Sequence, residues 1–174
     1  MTEAFLIRSL SPDEAQGVVP ALAAVLLDCV KGGASVSFMA DMTLDEAEAF
    51  WREETATDDG RSILVAEDDD GVFGVVQVIP VAIPNQPHRV DISKLLVHRR
   101  GRRRGAAEAL MTAAEDATRQ KGRWLMVLDT VTGSPADLLY EKRGWSRAGV
   151  IPDYALYPDG ALCDATFFYK ALRP

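Results

Sequence analysis

The chain has 174 residues, 48% of them hydrophobic and 26% charged. This length suits one domain, residues 1–174, with apolar material enough for a core that needs no disulfide or metal to hold it. The net charge of −7 is unevenly laid out: five arginines fall between Arg99 and Arg104, and outside them 14 basic side chains stand against 26 acidic ones. An acidic body with one basic knot argues against nucleic-acid binding, which spreads basic charge over a face; it suits a protein that holds one compact polyanion at one place.

The longest near-continuous apolar stretch, Val18 to Leu27, contains Pro20 and is far shorter than the ~20 residues of a bilayer span. Met1-Thr2-Glu3-Ala4 carries no basic region ahead of an apolar run, so a cytoplasmic protein with no membrane segment is expected. Cys29 and Cys163 are far apart, and His88 and His98 are the only histidines, so neither a zinc site nor a disulfide framework is expected and both thiols read as reduced.

In chain order, Ala4 to Leu10 predicts a short strand. Ser11-Pro12-Asp13-Glu14 combines an N-cap serine, proline at the first helical position and a capping glutamate; the apolar spacing from Val18 to Val30 continues a helix that Gly32-Gly33 ends. Thr43-Leu44-Asp45-Glu46 opens a second helix carrying Ala47, Phe50 and Trp51. Ser62–Glu67 and Val72–Val81 read as a hairpin across Asp-Asp-Asp-Gly. Arg89 to Val97 is another strand, and the arginine knot leads from it into a helix from about Gly105 to Lys121. Trp124 to Asp129 is a short buried strand, Ser134-Pro135-Ala136-Asp137 starts a helix, and two strands around Pro158-Asp159-Gly160 complete the chain. This order packs best as one mixed sheet with helices on both faces, an α/β arrangement.

The sharpest feature is Arg102-Arg103-Arg104-Gly105-Ala106-Ala107, between a predicted strand and a predicted helix. Small residues there let backbone amides point into a concavity at a helix N-terminus, and the arginines add charge; both suit phosphate. No GK[ST] follows and GxGxxG is absent, so it is neither a Walker loop nor a dinucleotide fingerprint. A solvated basic helix start is the other reading.

Arg102, Gly105 and Ala107 occupy the three defined positions of [RQ]xxGx[GA], and Ala136, Leu139-Tyr140 and Gly144-Trp145 match AxxLYxxxG[FW]. In both motifs the chain resembles the GCN5-related N-acetyltransferases (GNAT). Lys94-Leu95-Leu96-Val97-His98 resembles their central strand, though Gly133 stands where many members have asparagine, a contact that Asp129 and Thr130 are placed to replace. The resemblance implies a single-domain α/β fold with a mixed, mostly antiparallel sheet whose central strands splay apart around acetyl-CoA. It further implies that backbone groups of Leu95, Leu96 and Val97 hold the pantetheine and those of Arg102, Arg103, Arg104, Gly105, Ala106 and Ala107 the pyrophosphate. No metal is expected.

By the same resemblance, acetyl passes directly to an amine, with coenzyme A as product. Tyr140 corresponds to the family's tyrosine beside the thioester sulfur and is the expected general acid. An amine with a pKa of roughly 10 must first lose a proton; Asp91, where many members are acidic, is the expected base, with His88 or a water relay as alternatives. Phe38, Met39, Trp51, Asp91, Asp153 and Tyr154, with Asp159 nearby, are the expected acceptor-binding residues, aromatics and carboxylates suited to a small cationic amine. Within the family, the stretches 85–89, 94–98 and 151–170 resemble tabtoxin-resistance-type and kasugamycin-like aminoglycoside acetyltransferases. A small-molecule amine in self-protection or resistance is therefore the expected acceptor. A protein or peptide N-acetyltransferase and a non-catalytic acyl-CoA sensor are the alternatives, and the resemblance leaves a homodimer open.

Overall fold

The capping signatures form as the sequence requires. In the computed structural model, which describes residues 4–173, Ser11 and Thr43 each accept from the amide three residues on, and Glu14 and Glu46 return the bond to the cap amides at 2.7 and 2.8 Å. Met1–Glu3, on which the reading of the N-terminus rests in part, lie outside the described residues. Ser11 opens α1 (Pro12–Gly17), Thr43 opens α3 (Leu44–Ala56), and α2 (Val19–Lys31) lies between them. The single first helix expected from the apolar spacing is thus two. The chain breaks at Val18 (φ −105°, ψ 8°), because Pro20 has no N–H to carry the hydrogen-bond ladder across that point.

The strands are β1 (Leu6–Ser9), β2 (Ser62–Asp68), β3 (Gly71–Pro80), β4 (Arg89–Val97), β5 (Leu125–Val131), β6 (Ser146–Leu156) and β7 (Leu162–Ala171). They form one sheet in the order β1-β2-β3-β4-β5-β7-β6, antiparallel throughout except for β4–β5. Helices α4 (Ala106–Gln120) and α5 (Pro135–Lys142) complete the set. On one face Leu110, Met111 and Ala114 of α4 close over Val76, Val90 and Met126; on the other, Leu22, Leu26 and Trp51 of α2 and α3 close over Val65, Val75 and Leu96. Each such fully buried large side chain contributes about 1.5–3 kcal/mol. The mixed, mostly antiparallel sheet covered on both faces is the architecture expected. No helix among the described residues is long and apolar enough to cross a membrane.

Two irregularities shape the centre of the sheet. The parallel pairing of β4 with β5 covers only Arg89–Leu125, Val90–Met126 and Asp91–Val127, after which the strands part. In β4, Ser93 to Leu96 spans what Val75 to Gln77 spans in β3, so β4 carries one extra residue, and Lys94 there has φ +53°. The bulge switches the strand's faces: Ile92 packs in the α4 core, whereas Leu96 packs in the α2–α3 core.

Candidate active site

Where β4 and β5 part, a cleft of about 940 Å³ opens between them, bounded by the α2–α3 connection, the start of α4, α5, and strands β6 and β7. Leu95, Leu96, Val97, Arg102, Ala107 and Tyr140 all line it, so the two motifs read from the sequence meet at one place. Among the described residues, β4 has no ladder partner on its β5 side from Ile92 onward. An extended chain carrying amides can add itself there as a strand would.

The loop between β4 and α4 begins with a single 3₁₀ turn (Arg99–Gly101). Gly101 is required by close approach, since a Cβ there would stand 2.1 Å from the Phe73 ring. Gly105 is the N-cap of α4 at φ +82°, a left-handed conformation suited to glycine. Among the described residues, nothing accepts a hydrogen bond from the amides of Gly105, Ala106 or Ala107, which leaves a helix start with free donors.

The arginines divide, correcting the picture of five charges gathered for phosphate. Arg100 and Arg104 are both turned onto Asp68, at 2.8 and 2.7 Å, and both guanidinium groups lie over the Phe73 ring. These two arginines hold the Asp68 carboxyl at about 2, well below its ordinary range. Arg99 is bound to Asp28, and Arg103 is exposed with φ +62°. Only Arg102 reaches the cleft, its Nε donating to the Val97 carbonyl at 3.2 Å. Arg103, Arg104, Gly105 and Ala106 do not line it. The partners that draw Arg100 and Arg104 aside come from the β2–β3 hairpin, 32 and 36 residues earlier.

Tyr140 is 4% exposed, its ring 5.5 Å from that of Trp145 and 5.7 Å from that of Phe168. Among the described residues no group hydrogen-bonds its hydroxyl, which is left to the cleft. Burial, and then the charge of Asp129, push the phenol above its ordinary pKa, so it holds its proton. Asp129 lines the cleft and is itself raised, by desolvation first, with Asp91 adding to the rise and Lys94 opposing it. Asp91 stands at the fork of β4 and β5, 3.4 Å from Arg89, and does not line the cleft. Burial raises its carboxyl, against Arg89. His88 stacks on Trp124 at 4.6 Å.

Of the expected acceptor residues, Phe38, Met39 and Tyr154 line the cleft. Trp51 does not: it is fully buried, because Ala47, Trp51 and Thr55 share the face of α3 that packs on the sheet. Asp153 does not either. It sits at φ +52° in an irregular part of β6, exposed, its amide donating to Asp164 at 2.9 Å, and it is Asp164 that lines the cleft. The sequence reading passed over Lys94 and Ser37 as side chains; both line the cleft, with Nζ and Oγ 3.4 Å apart. Desolvation lowers the Lys94 ammonium from its usual pKa, against Glu54 and Asp129. The positive φ at each marks them structurally, but neither is a glycine that would announce it.

A family model for the acetyltransferase (GNAT) domain matches residues 59–147, from the turn before β2 to the end of α5 and Arg147 beyond it. The chain belongs to the GNAT acetyltransferases; it is an N-acetyltransferase whose acetyl donor is acetyl-CoA. Solved structures share the fold at low identity. An N-acetyltransferase from Staphylococcus aureus Mu50 is 20% identical, covering 98% of this chain and 100% of its own, at a TM-score of 0.81. The Salmonella typhimurium protein yncA, assigned as an acetyltransferase and solved with its cofactor acetyl-CoA, is 20% identical over 98% and 95% at 0.79. The ribosomal-protein-alanine N-acetyltransferase of Brucella melitensis is 21% identical over 96% and 99% at 0.78.

Proposed function

We propose that this enzyme acetylates the amine of a small molecule, in protection against an amine-bearing antibiotic or toxin. The observation that carries the small acceptor is the wall of the cleft: Phe38 and Met39 from one side and Tyr154 from the other bound a recess that also holds Lys94 and Asp129. A recess of about 940 Å³ matches a cofactor arm and a small acceptor better than a polypeptide. The link to toxins and antibiotics is supported by the resemblance of stretches 85–89, 94–98 and 151–170 to resistance acetyltransferases.

Bound acetyl-CoA supplies an activated acetyl thioester. The uncovered β4 edge at Leu95–Val97 would hold its pantetheine arm, and the free amides at Gly105–Ala107 with Arg102 its pyrophosphate. Tyr140 keeps its proton at Oη and offers a hydrogen bond where negative charge develops on the departing sulfur. Asp129, raised and facing the cleft, takes the proton that the attacking amine must lose. Desolvation is what chiefly raises Asp129, and the role expected of Asp91 becomes that of a neighbour whose charge adds to the rise.

The test is release of free thiol from acetyl-CoA across amine antibiotics, amino-acid toxins, polyamines and peptides. Turnover of a small amine, lost in Tyr140→Phe, is expected. Turnover of peptides alone would move the assignment to protein acetylation, the activity named for the Brucella relative. Acetyl-CoA binding without turnover anywhere would favour a sensor.

A further inference from the structure

We propose that Lys94 and Ser37 form a subsite for a carboxylate carried by the acceptor, so that the substrates are amino acids or close analogues. This deepens the small-molecule reading and rests on it. Both residues adopt positive φ, +53° at Lys94 and +82° at Ser37, though neither is glycine. Left-handed backbone of this kind is costly for residues that carry side chains and persists where the surrounding structure imposes it, characteristically at binding sites. Here the two strained residues face each other: the β4 bulge brings the Lys94 ammonium to 3.4 Å from the Ser37 hydroxyl, a long contact that leaves both groups able to turn to a third.

The ammonium is held but not neutralised. Its Nζ lies 5.5 Å from the centroid of Phe50 and 5.9 Å from that of Phe38, and no carboxylate among the described residues pairs with it. Glu54, the carboxylate on α3 whose charge it feels, is engaged by Arg61 and by Gln77 at 2.8 Å. The phosphates of the acetyl donor belong beyond the other end of Leu95–Val97, at the arginine loop, so an anion beside Lys94 must come from the acceptor. Asp129 supplies the complementary charge in the same cleft. An ammonium for a carboxylate and a carboxylate for an amine match a zwitterion, whereas a polycation would set its own charge against Lys94.

The experiment measures thiol release from acetyl-CoA with the proteinogenic L-amino acids, each beside its carboxamide, and with tryptamine and spermidine as amines lacking an acid. Acetyl-CoA binding is followed separately by calorimetry. At least one free acid should exceed its carboxamide by tenfold or more in kcat/KM. Lys94→Gln should remove roughly ten- to hundredfold on the acid, mainly through KM, the scale of a hydrogen bond to a charged group. Lys94→Arg should restore part of it, and Ser37→Ala should weaken the acid severalfold. Melting curves establish that each variant is folded. Equal use of acids and carboxamides, turnover confined to tryptamine or spermidine, an unreactive acid panel in protein that binds acetyl-CoA, or an intact acid preference in folded Lys94→Gln each overturns the subsite. Those results leave the acetyl-CoA site standing; failure to bind acetyl-CoA is what would take down the reading beneath it.

Discussion

Asp28 and Arg99 are joined twice: the carboxylate of Asp28, near the end of α2, accepts from the main-chain N–H of Arg99 at 2.9 Å and also from its guanidinium. His98 Nε2 stands 3.7 Å from the same carboxylate and Arg102 at 4.0 Å. Burial works against the charge, yet the bonds from Arg99 outweigh it and keep the carboxyl below its usual range. One acidic side chain on α2 thus fixes the loop that turns from β4 into α4. Asp28→Ala should cost about 1.5–3 kcal/mol of stability, the worth of hydrogen bonds to a charged group. The loop's loss of shape should weaken coenzyme A binding about tenfold in calorimetric titration. An unchanged affinity would mean that the loop keeps its form without this tether.

Tyr140→Phe keeps the rings packed against Trp145 and Phe168 and removes only the hydroxyl. Coenzyme A affinity should stay within about twofold and the melting temperature should hardly move. Turnover should fall about a hundredfold or more, the usual yield of a positioned proton donor. A fall in affinity that accounts for the whole loss in kcat/KM would instead make Tyr140 a binding residue.

How far the site was legible follows from which contacts are local. The arginine loop and the Tyr140 helix are continuous motifs of helix starts and small residues, and Arg102, Ala107 and Tyr140 from them line one cleft. The destinations of Arg100 and Arg104 depended on Asp68, on a hairpin distant in sequence that no local pattern links to the loop. Trp51 carried a warning: its spacing from Ala47 and Thr55 is that of a buried helical stripe, which outweighs its aromatic character. Lys94 was hidden for the opposite reason. A bulge in Ser-Lys-Leu-Leu has no glycine to mark it, and strict alternation assigns the side chains beyond it to the wrong faces. The break at Val18 was readable from Pro20, but apolar periodicity ran across it unbroken.

Asp129 and Asp91 should separate by their effects on pH dependence. If Asp129 takes the amine's proton, kcat/KM rises with pH as its carboxyl ionises, with an apparent pKa above the ordinary value of about 3.9. Asp129→Asn should lower kcat/KM about a hundredfold and abolish that acid limb. Asp91→Asn removes a negative neighbour, so Asp129 ionises more easily and the limb should move to lower pH while much of the maximal rate survives. The reverse pattern, with Asp91→Asn inactive and Asp129→Asn merely shifted, would return the base role to Asp91.

Asp68 gives the protein a stability that depends on acid pH. Its carboxyl lies between Arg100 and Arg104 with its side chain 7% exposed, and its pKa falls to about 2 in the folded state. In the unfolded chain the same group titrates near the ordinary value of about 3.9. Folding therefore favours the ionised form: the contribution is complete above about pH 5, and falls away as pH drops through 4 toward 2. Asp68→Asn should lower the melting temperature by several degrees at pH 7, at roughly 2–4 °C per kcal/mol for a chain of this size. The gap between wild type and variant should narrow steadily in melts taken between pH 5 and 2.5. Because the same two arginines fix the β4–α4 loop, coenzyme A binding by Asp68→Asn should also weaken at neutral pH. A gap that stays constant across the acid range would show that the carboxylate's charge contributes nothing and that only its hydrogen-bonding shape is needed.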